Sequence, residues 1–175
     1  MSTTDTPRIY VASLADYNAG RLHGVWIDAT QDAHDIKMCI FVMLSESAEP
    51  VAEEWAIHDH EGFGSLRIGE YESIERIAAV AEGIEEHGAA FVAYVDNFGF
   101  NDADLDAFEE NYLGEFDNVE DYAREFLYEW GDLAALPESL RNYFDYAAFA
   151  RDMELGGDIW TAPAYNNGVH IFRNV

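Results

Sequence analysis

The chain has a single lysine, Lys37, and a single cysteine, Cys39, in 175 residues. One thiol excludes an internal disulfide and any cysteine-based zinc site, and its apolar setting, Met38-Cys39-Ile40-Phe41-Val42, reads as a small buried side chain with no chemical role. Long hydrophobic runs are missing too. Met38–Leu44 and Ala89–Val95 extend seven residues each, far short of the ~18 needed to cross a bilayer. The segment Met1–Arg8 is polar and leads straight into Ile9-Tyr10-Val11, so no secretory leader is expected and the cytoplasm is the expected compartment. Positive charge is scarcest of all. Nine Lys and Arg face 35 Asp and Glu, a formal charge of -26. Such a field disfavours nucleic acid and anionic membranes as partners and points to a basic surface or a cation.

Against these absences stands a composition built to fold. Acidic chains that stay disordered lack aromatic and branched apolar residues, whereas this one is 49% hydrophobic and 14% aromatic. Its length allows one or two domains with a sizeable core.

Along the chain, Arg8–Leu14, Gly24–Asp28 and Glu53–His58 read as strands, with a helix between the last two from about Asp32 to Leu44, where Ile36, Cys39, Ile40 and Met43 share one face. Gly62-Phe63-Gly64 reads as a hinge. From Ser73 the pattern becomes helical: Ile74, Ile77, Ala81 and Ile84 align, Ser73 can cap the start and Gly88 the end. A second helix is expected over Ala89–Phe98 and a third from about Asn101 to Asn111, which makes the middle segment all-helical, with Gly114 as the next break. The following helix should start at an Asn118 cap and end at Gly131, with Val119, Tyr122, Ala123, Phe126, Leu127 and Trp130 as its apolar stripe. Short helices near Glu138–Asn142 and Asp145–Leu155 then lead into a hairpin of Asp158–Ala162 and Val169–Arg173 turned through Asn166-Asn167-Gly168.

Most candidate chemistry dissolves on inspection. Asp102-x-Asp104-x-Asp106 suggests a calcium loop, but the required Gly and Glu positions hold Ala107 and Leu113; carboxylates at a helix start suffice as an explanation. His58 and His60 have metal-ligand side chains and no third ligand in view. No G-x-S-x-G, H-E-x-x-H, phosphate-loop or dinucleotide fingerprint occurs. The expectation is a protein without catalytic residues, metal or cofactor.

Charge carries the functional signal. Between Arg76 and Arg124 lie thirteen carboxylates and no Lys or Arg: Glu82, Glu85, Glu86, Asp96, Asp102, Asp104, Asp106, Glu109, Glu110, Glu115, Asp117, Glu120 and Asp121. On the helix after Asn118, Asp117, Asp121, Glu125 and Glu129 recur every four residues, stacking like charges at ~6 Å intervals. Asp132 follows. A small soluble domain ordinarily carries a net charge of about 2 to 8, so -26 needs a special cause. Duplex DNA bears one charge per ~1.7 Å, so this excess matches roughly 44 Å of duplex, about thirteen base pairs. The first hypothesis is a DNA mimic that fills the basic groove of a DNA-binding enzyme. The alternative is adaptation to high salt, which would spread carboxylates evenly. Here they thin out after Pro137, which favours mimicry.

Three strings then become informative. Arg8–Asp28 (RIYVASLADYNAGRLHGVWID), Glu53–Phe63 (EEWAIHDHEGF) and Leu136–Leu155 (LPESLRNYFDYAAFARDMEL) resemble the ArdA antirestriction family, and the likeness spans nearly the whole chain. The resemblance implies a protein of plasmids, conjugative transposons and other mobile elements that blocks type I restriction-modification enzymes at their DNA-binding methyltransferase core. It implies an α+β fold drawn out as an elongated chain of three small domains: a mixed N-terminal domain over 1–64 with a small antiparallel sheet, a helical middle domain over 65–114, and a C-terminal domain over 115–175 with the acidic helix and terminal hairpin. It also implies a homodimer. The family's antirestriction motif corresponds to about Phe126–Leu140, with Phe126, Leu127, Glu129, Trp130, Asp132, Leu133, Leu136, Pro137, Glu138 and Leu140, serving dimer contacts or target binding. The tail Met1–Pro7 is assigned no role.

Overall fold

The computed structural model describes residues 6–129 and 132–174. Among these the fold is mixed α+β, with two separate three-stranded antiparallel sheets. The chain divides into two compact units, Met1–Leu105 and Asp106–Val175. This division is coarser than the expected three domains. Its boundary lies ahead of Gly114, because the residues around that glycine belong to a strand of the second unit.

In the first unit, β1 (Arg8–Ser13) is the central strand, flanked by β2 (Gly24–Asp28) and β3 (Trp55–Glu61). Alternation sets Ile9 and Val11 fully into the core, as expected of a strand with one buried face. Its final residue caps a short helix that the sequence pattern does not announce, α1 (Leu14–Asn18), in which the Asp16 amide donates to Ser13 Oγ at 3.3 Å. Opposite β1, the register of β3 slips between Asp59 and Ile57, leaving His58 as a bulge. Helix α2 (Ala33–Ser45), capped by Asp32, packs on β1 and β2 through Ile36, Ile40 and Met43.

Next come α3 (Ile74–His87) and α4 (Ala89–Phe98), turned back on each other at Gly88, whose φ of 61° and ψ of -137° suit glycine. The two helices touch closely enough that a Cβ on Gly83 would sit 2.3 Å from the Phe91 ring. Ser73 Oγ accepts from the Arg76 amide and so starts α3 where the capping pattern placed it. The α2–α3 contact is tied by an ion pair between Lys37 and Glu75, whose ammonium holds the Glu75 carboxyl down at about 2.

The expected helix from Asn101 to Asn111 is a correction. Only α5 (Phe108–Asn111) is helical, and the stretch before it is a turn. Arg76 explains the difference: its guanidinium donates to the carbonyls of Phe100 (2.6 Å) and Ala103 (2.7 Å). Tyr94 Oη donates to Asp104 O at 3.0 Å. Carbonyls held by side chains are lost to an intrahelical ladder. The middle segment is also not all-helical, because Tyr112–Phe116 form a strand, β4.

In the second unit β4 joins β5 (Ile159–Pro163) and β6 (Val169–Arg173) in the order β4-β6-β5. The hairpin of β5 and β6 is the expected one, and pairing to β4 puts β6 in the centre. Helices α6 (Val119–Glu129) and α8 (Tyr146–Gly156) pack together on one side, with the short α7 (Glu138–Arg141) between them in sequence. Their core gathers Tyr122, Ala123, Ala150, Met153, Ile159 and Ile171. On β6 the neighbours of Ile171 alternate to the other face, where Phe172 stacks on Trp160 with centroids 4.1 Å apart and buried His170 meets Tyr112 Oη through Nδ1 at 3.1 Å. Burial pushes the His170 imidazole below its usual range. The expected end of α6 at Gly131 lies outside the described residues.

Candidate functional site

Helix α6 is formed by the same pattern that gives it two unlike faces. Asn118 Oδ1 accepts from the Asp121 amide at 2.9 Å, and its Nδ2 donates to Asp121 Oδ2 at 2.7 Å. Glu120 and Asp121 occupy the first turn, where the helix dipole favours anions. Tyr122, Ala123 and Leu127 turn inward, so the spacing of four puts Asp121, Glu125 and Glu129 outward in solvent; Asp117, expected as the first of this row, is exposed too but precedes the helix in a bend, because Asn118 caps it. Burial of one stripe therefore forces display of the other.

The one cation within this helix does not neutralise the row. Arg124 donates to Glu120 Oε1 at 3.0 Å, one turn back, and its guanidinium lies 4.1 Å above the Tyr146 ring of α8. It is braced by a neighbouring helix rather than reaching Asp121 or Glu125.

Exposure extends through the other predicted carboxylates. On α3, Glu82, Glu85 and Glu86 alternate with buried Val80, Ala81 and Ile84. Asp96 on α4 is exposed, as are Asp102, Asp104, Asp106, Glu109, Glu110 and Glu115. Glu120 is half-buried beside Arg124. Asp132 opens a 3-10 turn, Asp132–Ala135. Residues 1–105 carry 20 carboxylates against 5 Lys and Arg, and residues 106–175 carry 15 against 4. Neither unit is a neutral scaffold for the other.

The motif segment is more divided than its sequence suggests. Leu127 and Leu133 are buried at 5% and 2% exposure and so serve the core, while Phe126 lines the α6–α8 cluster and Leu136 is half-buried. Pro137, Glu138 and Leu140 are exposed. Trp130 lies outside the described residues. Arg141 Nε, from α7, donates to Leu136 O at 3.0 Å and closes the turn through Pro137.

The histidines go to separate partners. His58 meets the Tyr17 ring edge-on at 5.0 Å, whereas His60 packs against Phe63 and makes a 3.3 Å contact from Nε2 to Leu66 O. The bulge at His58 is what separates two side chains that a regular strand would point the same way. His23 Nε2 lies 2.6 Å from Met43 O.

Two features run against the sequence pattern. One is the role of Arg76, which reads as the edge of an acidic block and instead holds a turn. The other is the outer side of α2, where Met38, Phe41 and Val42 stay exposed. The run Met38–Leu44 carries the signal, being too continuously apolar for a helix with only one buried face.

Among the described residues no helix is long and apolar enough to cross a membrane. Residues 9–168 match the protein-family model described as Antirestriction protein (ArdA). A comparison with curated proteins found no match.

Proposed function

Because the chain belongs to the ArdA antirestriction protein family and its function is antirestriction, we propose that it acts as a mimic of duplex DNA, occupying the DNA-binding groove of a type I restriction-modification enzyme at its methyltransferase core. The observation that carries this reading is the exposed row Asp121, Glu125 and Glu129 on α6, with Asp117 just ahead of it and the carboxylates of α3 and of the turn before α5 displayed likewise. Residues four apart on a helix are ~6 Å apart along its axis, close to the interval between successive phosphates on one strand. A groove lined by Lys and Arg would gain many distributed ionic contacts and release its counterions as it does on DNA. The protein is an inhibitor that catalyses nothing.

The partner is thus a protein surface evolved for polyanions, and nucleic acid itself is repelled. A homodimer would double the number of displayed carboxylates. The place of action is the cytoplasm, where restriction enzymes meet incoming DNA. High-salt adaptation explains the distribution less well, since the stretch after Pro137 holds Arg141, Arg151 and Arg173 against only five carboxylates.

The deciding experiment is competition. Purified type I methyltransferase core, pre-bound to labelled duplex, should release it as the protein is added, with apparent affinity falling steeply as salt rises. Binding that leaves the duplex in place and ignores salt overturns the reading.

A further inference from the structure

Helix α2 has a second apolar side that neither the core nor the acidic rows explain. While Ile36, Ile40 and Met43 are buried, Met38, Phe41 and Val42 remain 46%, 64% and 49% exposed. Beside them lies an open groove of about 430 Å³ between α2 and the start of β2, lined among others by Gly24, Val25, Met38, Cys39, Val42 and Glu46. A helix apolar on nearly every side is normally covered on every side.

The rim says what kind of cover fits. Asp35 stands one turn before Met38, and Glu46 one turn after Val42; both are exposed and have no cation partner among the described residues. The cations nearest in sequence are already held, Lys37 by Glu75 and Arg21 by Glu49 and Asp16. An apolar floor between uncompensated carboxylates complements an apolar side chain surrounded by Lys and Arg. A second copy of this chain would instead set the same carboxylates against each other.

We propose that this groove docks an apolar knob on the basic surface of the restriction-modification enzyme, an anchor beyond anything duplex DNA supplies; the identity of the partner rests on the DNA-mimic reading above. Ionic rows give speed of encounter and fall away with salt, whereas a desolvated apolar anchor holds the complex once formed and is insensitive to salt.

The native thiol reports on the groove directly. Cys39 lines it and is partly exposed, so alkylation by iodoacetamide, followed by mass spectrometry of its peptide, measures cover. With the full chain saturated by purified type I methyltransferase core, alkylation should slow at least about fivefold. The double variant Met38→Ser/Val42→Ser should weaken binding about tenfold or more at every salt concentration, leaving the salt slope unchanged. Glu46→Lys should weaken it severalfold without lowering the melting temperature, since a cation suits the C-terminal end of α2. Unchanged affinity in these variants together with an unprotected Cys39 overturns the anchor while leaving mimicry intact. Protection that appears in the free protein as its concentration rises also overturns it, by assigning the groove to a second copy. Should the wild-type chain bind the core yet fail to displace duplex, the mimic reading fails and Cys39 protection still decides the groove.

Discussion

Asp16 is 1% exposed, yet it is an ionised carboxylate in a chain where almost every other is in water. The Ser47 hydroxyl donates to it, and Arg21 Nε stands 3.5 Å away. These partners, Ser47 foremost, hold its carboxyl below the usual range despite burial. A depressed folded-state pKa means that its stabilisation is present above the unfolded value near ~3.9 and disappears as pH falls through the lower folded one. Melting temperature should therefore drop on acidification below about pH 4, and Ser47→Ala, by removing the main cause of the depressed pKa, should lower the melting temperature near neutrality and make that acid drop shallower. An unmoved acid limb in the variant would assign the loss to other carboxylates. Arg76 makes a second residue-scale case. Replacing it by Met removes donors from two carbonyls and should cost about 1–3 kcal/mol, read by urea unfolding, with faster amide exchange across Gly99–Ala107. Neither role is legible in sequence, because each depends on a partner far along the chain: 31 residues for Ser47 and Asp16, and 24 for Arg76 and Phe100.

At the scale of elements, local pattern and tertiary outcome agree wherever both caps and periodicity point the same way. Helices α2, α3 and α4 and the starts of α6 and β2 fall within a residue of their expected positions, since Asp32, Ser73, Gly88 and Asn118 do fix those ends. They diverge at β4 and the turn before α5. The sequence Tyr112-Leu113-Gly114-Glu115-Phe116 has a glycine at φ 127° and follows a helical stretch, so only pairing with β6 reveals it as a strand. The α3–α4 pair yields a sharp expectation. Gly83→Ala adds a methyl into the Phe91 ring, an overpacking that costs about 1–3 kcal/mol and outweighs the ~1 kcal/mol by which Ala is the better helix residue. Thermal unfolding measures the sign. For α6 the expectation is reversed, because Glu125→Gln relieves repulsion from Asp121 and Glu129 and should stabilise the protein by about 0.2–0.5 kcal/mol per pair. On the mimic reading, function and stability therefore pull against each other along that helix.

For the whole molecule, the same conflict predicts two opposite salt dependences. Added sodium chloride screens self-repulsion among carboxylates and should raise the melting temperature, while the same screening weakens inhibition of a restriction enzyme. Neutralising one carboxylate, such as Glu110, should leave inhibition nearly unchanged, whereas converting Asp117, Asp121, Glu125 and Glu129 together to amides should reduce it substantially and lower the slope of log affinity against log salt. Abolition by the single change with the fold intact would mean a discrete contact. The charge total and its spread along the chain are legible in the residues themselves, because carboxylates have so few other uses at this density. The apolar side of α2 is less so, as exposure depends on what the rest of the fold leaves uncovered.

The two sheets also differ in when they can be completed during synthesis. In the first, the central strand is β1, and its neighbours arrive soon after it. In the second, the central strand is β6, the last of the described strands, and β4 and β5 pair only with it. Until Val169–Arg173 leave the ribosome, neither strand has its partner in the sheet, and the aromatic pair Trp160 and Phe172 is half made. A nascent chain thus carries a folded first unit beside open strand edges, the species most prone to aggregate. Like-charge repulsion from the first unit's surplus of anions would oppose association of such chains while the last strand is made.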